Sequence, residues 1–205
     1  MNMSLNYFKL AALTAVIALV SCSKLDINDP YYYVEGEKVY LDVCKDMVFL
    51  EFKGDEGYET FMEYLKEDPF LEPWSYDGLY GHQVSQSFFV FRKGSISRAR
   101  INALKKREEI THAAYVFGDH DRPLSYRNKF IVSISDPADY IFLHGLVDKF
   151  GFELKFWHKY TNSIENFVVV PEDTGKDAFD MANYFHETGK FRYSSPDFVF
   201  TRAFD

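Results

Sequence analysis

The sequence is poor in cysteine: Cys22 and Cys44 are the only two in 205 residues. A fold stapled by several disulfides is thereby excluded, and no cysteine pair stands at metal-ligand spacing. Basic residues are also short, 23 Lys and Arg against 31 Asp and Glu. An acidic body disfavours nucleic acid and charge-driven attachment to anionic membranes, because clustered Lys and Arg drive phosphate binding. The motifs of hydrolytic and phosphoryl chemistry are missing: there is no Gly-x-Ser-x-Gly elbow, no Gly-rich phosphate loop and no His-Glu-x-x-His. The body is therefore expected to be non-enzymatic, with no cofactor, no metal and no nucleic acid partner. What the chain has in abundance is apolar surface. With 47% hydrophobic and 19% aromatic residues, 205 residues can build one ordinary core or two small ones.

No apolar run is long enough for a relaxed membrane span. The longest, Leu10 to Val20, follows the single basic residue Lys9 and leads into Ser21-Cys22-Ser23-Lys24, the layout of a secretory signal. Leu19-Val20-Ser21-Cys22 resembles the lipobox of bacterial lipoproteins. That resemblance implies that residues 1–21 are a signal peptide, that Cys22 is acylated, with palmitate among the chains, and that 22–30 form a lipidated polar tether. Several acyl chains at one residue anchor durably where one chain does not. Ser23, by resemblance to lipoprotein sorting, implies the outer membrane of a bacterial cell envelope. Cys44 then has no partner for a disulfide and is expected to be structural.

The body opens on Tyr31 to Val43, where β-prone residues flank Glu35-Gly36-Glu37, the pattern of a hairpin. Met47 to Phe52 reads as a strand. Tyr58, Phe61, Met62 and Leu65 form one helical face that Pro69 ends. Pro69 to Gln83 reads as an irregular aromatic connection. Ser87 to Phe91 is a buried strand, Ser97 caps a helix carrying Ala99, Ile101, Ala103 and Leu104, and a strand begins near His112.

A polar crossing from Gly118 to Ser125 leads to a second passage of the same kind. Lys129 to Ile134 is a strand. Tyr140, Leu143, His144, Val147 and Phe150 make a helical stripe ended by Gly151, and an extended segment continues from Phe152. A turn over Asn162 to Asn166 enters the strand Phe167 to Val170. Ala178, Met181, Ala182 and Phe185 are the core face of a last helix stopped by Gly189, followed by a final strand. The expected fold is α+β: two tandem ferredoxin-like β-α-β-β-α-β subdomains, 31–125 and 126–205, the first with an extra N-terminal hairpin.

Few side chains stand out as chemistry. Asp119, His120 and Asp121 offer oxygen and nitrogen ligands but read as a solvated turn. His144, on its helix's core stripe, reads as a satisfied buried histidine. The aromatics of Phe70 to Tyr80 and those around Phe156 and Trp157 read as core.

The ending carries a resemblance. Met181-Ala182-Asn183, Tyr184-Phe185, Glu187-Thr188-Gly189, Phe191 and Pro196-Asp197-Phe198 resemble the close of the N-terminal prodomains, of the fervidolysin-like type, of bacterial secreted subtilisin-like serine peptidases. Tyr31 to Val43 resembles the start of such prodomains, and Asn128 to Ile134 sits where their second half begins. Ser194-Ser195 replaces the small-acidic pair common before the proline. The resemblance implies a sheet that docks on a peptidase and a C-terminal extension that lies in its cleft, here Phe198, Val199, Phe200, Thr201, Arg202, Ala203 and Phe204. The catalytic domain that follows in that family is expected to be absent, since the sequence stops at Asp205. The function implied is that of an inhibitor or folding chaperone of a subtilisin-like peptidase, the alternatives being a cell-surface binding or adhesion module and the remnant of a truncated peptidase gene.

Overall fold

The computed structural model describes residues 29–74, 85–161, 164–171 and 174–200. The expectations for Cys22, Thr201, Arg202, Ala203 and Phe204 lie outside them. The protein is mixed α+β, with four helices and antiparallel strand pairs among the described residues. A hairpin of β1 (Tyr31–Val34) and β2 (Glu37–Tyr40) comes first. Its two-residue loop, Glu35 at φ 51° and Gly36 at φ 86°, is the positive-φ turn that matches strand twist.

Then follow β3 (Val43–Phe52), α1 (Gly54–Glu67), β4 (Leu71–Pro73), β5 (Gln86–Phe91), α2 (Arg98–Leu104) and β6 (Ile110–Phe117). The second passage is β7 (Leu124–Ile134), α3 (Pro137–Phe150), β8 (Glu153–Thr161), β9 (Ile164–Val170), α4 (Ala178–Glu187) and β10 (Tyr193–Phe200). Local chemistry explains the starts of the last three helices. Ser97, Asp136 and Asp177 each accept a backbone N–H from the first turn of α2, α3 and α4, which satisfies donors the helix itself cannot. Gly151, at φ 70°, closes α3 in the left-handed conformation.

The strands of the first passage lie in the order β4-β5-β3-β6, and those of the second in the order β8-β9-β7-β10. Among the described residues, the ladder joins the two sets where Phe117 of β6 faces Leu124 of β7. The expected dividing line after residue 125 falls within β7. One hydrophobic cluster holds Phe49, Phe61, Phe89 and Phe117 of the first half together with Tyr126 and Phe179 of the second. The other, around Phe130, Leu143, Val169, Met181 and Phe185, draws on the second half alone.

Several boundaries differ from expectation, each for a physical reason. Leu71 pairs with Phe91 and is buried, so the presumed irregular connection contains the short edge strand β4. β9 begins at Ile164, before the expected end of the turn at Asn166. Its polar residues are satisfied across the sheet: Glu165 pairs with Lys159 at 3.0 Å, and Asn166 accepts from the Tyr193 hydroxyl at 3.4 Å. On α3 the buried residues are Leu143, Leu146 and Val147, while Tyr140 is exposed. The hairpin does not belong to the first half alone. The Tyr31 and Tyr33 hydroxyls both donate to Glu187 Oε1 at 2.9 Å, Asn183 Nδ2 donates to the Tyr31 carbonyl at 2.6 Å, and Tyr33 stacks on His186. Burial first, and then the carboxylate of Glu187, push the Tyr33 hydroxyl up to about 12.

Candidate functional site

The last strand carries the residues expected to meet a partner. Tyr193 to Pro196 pair with Ser133 to Phe130 of β7, a bulge follows, and Phe198, Val199 and Phe200 pair with Tyr126, Ser125 and Leu124. Pro196 stands beside the bulge, where a missing N–H costs the ladder least. Phe198 is half-buried, edge-on to Tyr32 with ring centroids at 4.8 Å, and 6.3 Å from Phe179. Its ring packs against the first core cluster. Val199 is half-buried too, whereas Phe200 is 59% exposed. Among the described residues, β10 pairs with β7 and with no other strand.

One face of the second half's sheet carries Phe130, Val132, Phe167 and Val169 into the core under α3 and α4. Alternation sends their neighbours the other way. Register places Ser195, Ile131, Val168 and Lys155 side by side across β10, β7, β9 and β8. The first three are half-exposed and Lys155 is exposed. At the far edge, Phe156 and Trp157 of β8 are 60% and 57% exposed. Their expected place in the core is thus corrected, because β8 is an edge strand and its pairing slips at a bulge between Phe156 and His158.

Between the halves runs a polar seam invisible in the linear sequence. Arg127 donates to Asp197 Oδ2 at 3.0 Å and to Gln86 Oε1 at 3.1 and 3.3 Å, and stands 3.8 Å from Glu51. Burial holds the Glu51 carboxyl above the usual range, against the lowering effect of the Asn128 N–H, Arg127 and Lys129. A cleft of about 700 Å³ is lined by residues of both halves, among them Arg98, Lys105, His112, Asn128, Asp177 and Asp180. Lys105 reaches Asp177 at 3.4 Å, and the Tyr126 hydroxyl donates to the same carboxylate at 3.2 Å. His112 is buried. Its Nε2 lies 3.1 Å from the Tyr126 carbonyl, so the proton sits on Nε2, and burial together with Lys105 pulls its pKa down to about 4.

The turn residues Asp119, His120 and Asp121 do not converge. Asp119 Oδ1 accepts the backbone N–H groups of Asp121 and Arg122 at 3.0 and 2.9 Å. His120 turns to β3 instead, its Nε2 3.0 Å from both oxygens of Asp46, and the Cys44 thiol donates to Asp46 Oδ1 at 3.3 Å. Cys44 is buried, Asp46 and His120 about half exposed at the side chain. Burial first, then Asp46, push the Cys44 thiol up to about 11. For Asp46 burial acts upward, but the hydrogen bonds from His120 and Cys44 outweigh it and the carboxyl lies below its usual value. These are the described residues with metal-ligand chemistry at close range. His144 packs edge-on against Tyr140 at 4.3 Å, and its Nε2 has no hydrogen-bond partner among the described residues, unlike the satisfied histidine expected. A comparison with protein-family models gives no match, and a comparison with curated proteins gives none either.

Proposed function

We propose that the protein is an acyl-anchored envelope lipoprotein whose body consists of two ferredoxin-like units, and that it inhibits or chaperones a subtilisin-like serine peptidase. The ferredoxin-like reading is supported by the strand orders β4-β5-β3-β6 and β8-β9-β7-β10, which put the second, third, first and fourth strands of each passage in the same sequence. The observation that carries the function is the face formed by Ser195, Ile131, Val168 and Lys155, turned away from α3 and α4, beside an edge strand that ends on exposed Phe200. A helix-free sheet face can lie on a partner. An edge strand can also add main-chain hydrogen bonds while alternate side chains fill pockets. Cys22 supplies the membrane attachment in this reading, and catalysis by the body is not part of it.

Inhibition titrations against a panel of subtilisin-like peptidases test the reading. Deleting 201–205 is expected to weaken inhibition at least about tenfold, ~1.4 kcal/mol, with an unchanged circular dichroism spectrum. Ile131→Glu is expected to weaken it by a similar factor from the sheet face. Equal inhibition by all three proteins overturns the mechanism, and no inhibition at micromolar protein overturns the function. A second reading, a surface binding module, is favoured by exposed Phe156 and Trp157 at the opposite edge, since aromatic side chains anchor many interfaces. It gains if the panel is not inhibited.

A further inference from the structure

Cys44 and Asp46 stand two residues apart near the start of β3, and His120 comes from the loop between β6 and β7. That loop is held in place. Gly118 donates its N–H to the Asp42 carbonyl at 2.9 Å, and Asp119 closes the next turn on the N–H groups of Asp121 and Arg122. Gly118 is itself required there: φ is +82°, and a Cβ would come within 3.0 Å of the Arg122 carbonyl oxygen. His120 therefore faces β3 from a defined position.

We propose that Cys44, Asp46 and His120 form a binding site for a borderline-soft divalent metal ion of the Zn²⁺ class. One Sγ, one carboxylate oxygen and one imidazole nitrogen lie within 4.8 Å of one another. Tetrahedral zinc with ordinary bond lengths puts such ligand atoms roughly 3.3–3.6 Å apart. The His120–Asp46 and Asp46–Cys44 separations, 3.0 and 3.3 Å, are close to that, so small side-chain adjustments bring the three donors to zinc geometry. Charge fits as well: a thiolate, a carboxylate and a neutral imidazole together neutralise a divalent ion, which lowers the cost of holding it beside buried Cys44. The sulfur and nitrogen donors disfavour Ca²⁺ and Mg²⁺, which take oxygen sets. On binding, the metal–sulfur bond replaces S–H and the proton leaves to buffer, with no change in oxidation state. Three protein ligands leave a fourth position for water or an incoming ligand, the arrangement of open rather than closed zinc sites. The ion would clip the start of β3 to the loop that carries the chain into its second half.

Cobalt titration tests the site, using the full chain with Cys22→Ser so that Cys44 is its only thiol, kept reduced. One Co²⁺ per chain is expected to produce a thiolate-to-cobalt charge-transfer band that Zn²⁺ bleaches. Cys44→Ser is expected to abolish the band, and His120→Ala and Asp46→Asn to weaken Co²⁺ binding at least about tenfold each, ~1.4 kcal/mol. His120 is exposed, so its alanine variant is expected to keep the parent circular dichroism and gives a reading even if Cys44→Ser misfolds. Absence of the band at millimolar cobalt, or an unchanged titration in His120→Ala, overturns the site.

Discussion

The two halves of the molecule repeat one order of elements and one order of strands, yet they are not equals. The second half packs its core from its own residues, Phe130, Leu143, Val169 and Phe185 among them. The first half does not. Its cluster is completed by Tyr126 from β7 and by Phe179 from α4, with Phe117 in contact with both rings. A repeated architecture can thus hide a one-way dependence, in which one copy supplies core residues to the other. The same direction shows in α4, whose Asn183 and Glu187 also hold the N-terminal hairpin.

The largest expected effect comes from removing the shared ring. Phe179 is 0% exposed, and Phe179→Ala should destabilise the protein by about 3–5 kcal/mol. Hydrogen exchange resolves where the loss falls: β3 and β6 should lose protection more than β8 and β9. Equal loss in both halves breaks the comparison.

His112 gives the next effect. Its pKa is about 4 in the fold against an ordinary 6.5, so the unfolded chain binds the proton more readily. The contribution of this neutral histidine is present above pH 6.5, is lost as pH falls from there to about 4, and changes no further below. Its size is roughly 3 kcal/mol. Denaturant melts from pH 7 to 4 should show His112→Gln with a shallower decline than the parent, and parallel curves contradict the assignment.

Arg127 binds the seam itself. Arg127→Met should cost about 2 kcal/mol, because Asp197 and the largely buried Glu51 lose a cation that, among the described residues, only Lys129 stands near enough to replace. Urea melts measure the cost, and a second unfolding transition in the variant would sharpen the picture of two separable halves. Smallest is Glu187→Gln, within about 1 kcal/mol, since its hydrogen bonds to Tyr31 and Tyr33 are exposed. Its readout is faster exchange in β1 and β2 without change elsewhere.

How much could be read from the linear chain follows the range of each interaction. The hairpin turn at Glu35-Gly36, the cap at Ser97, the stop at Gly151 and the buried face Ala178, Met181, Ala182 and Phe185 were all legible, because each depends on residues a few positions apart. The solvent exposure of Phe156 and Trp157 was not, since nothing local says that β8 ends up at an edge. Nor was the use of His120. The turn pattern directs attention to Asp119 and Asp121, its sequence neighbours, while the side chains it meets lie on β3.

The sequence by itself determined the α+β class, most of the elements and most of the helix faces, since period and capping act within a turn or two of backbone. Tertiary structure alone decided which half completes the other's core, which charges gather around Arg127, and that Cys44, Asp46 and His120 meet. Those depend on strand order and on the register of β3, β6 and β7. That register is settled by burying apolar surface from distant segments together, and no short stretch of the chain carries it.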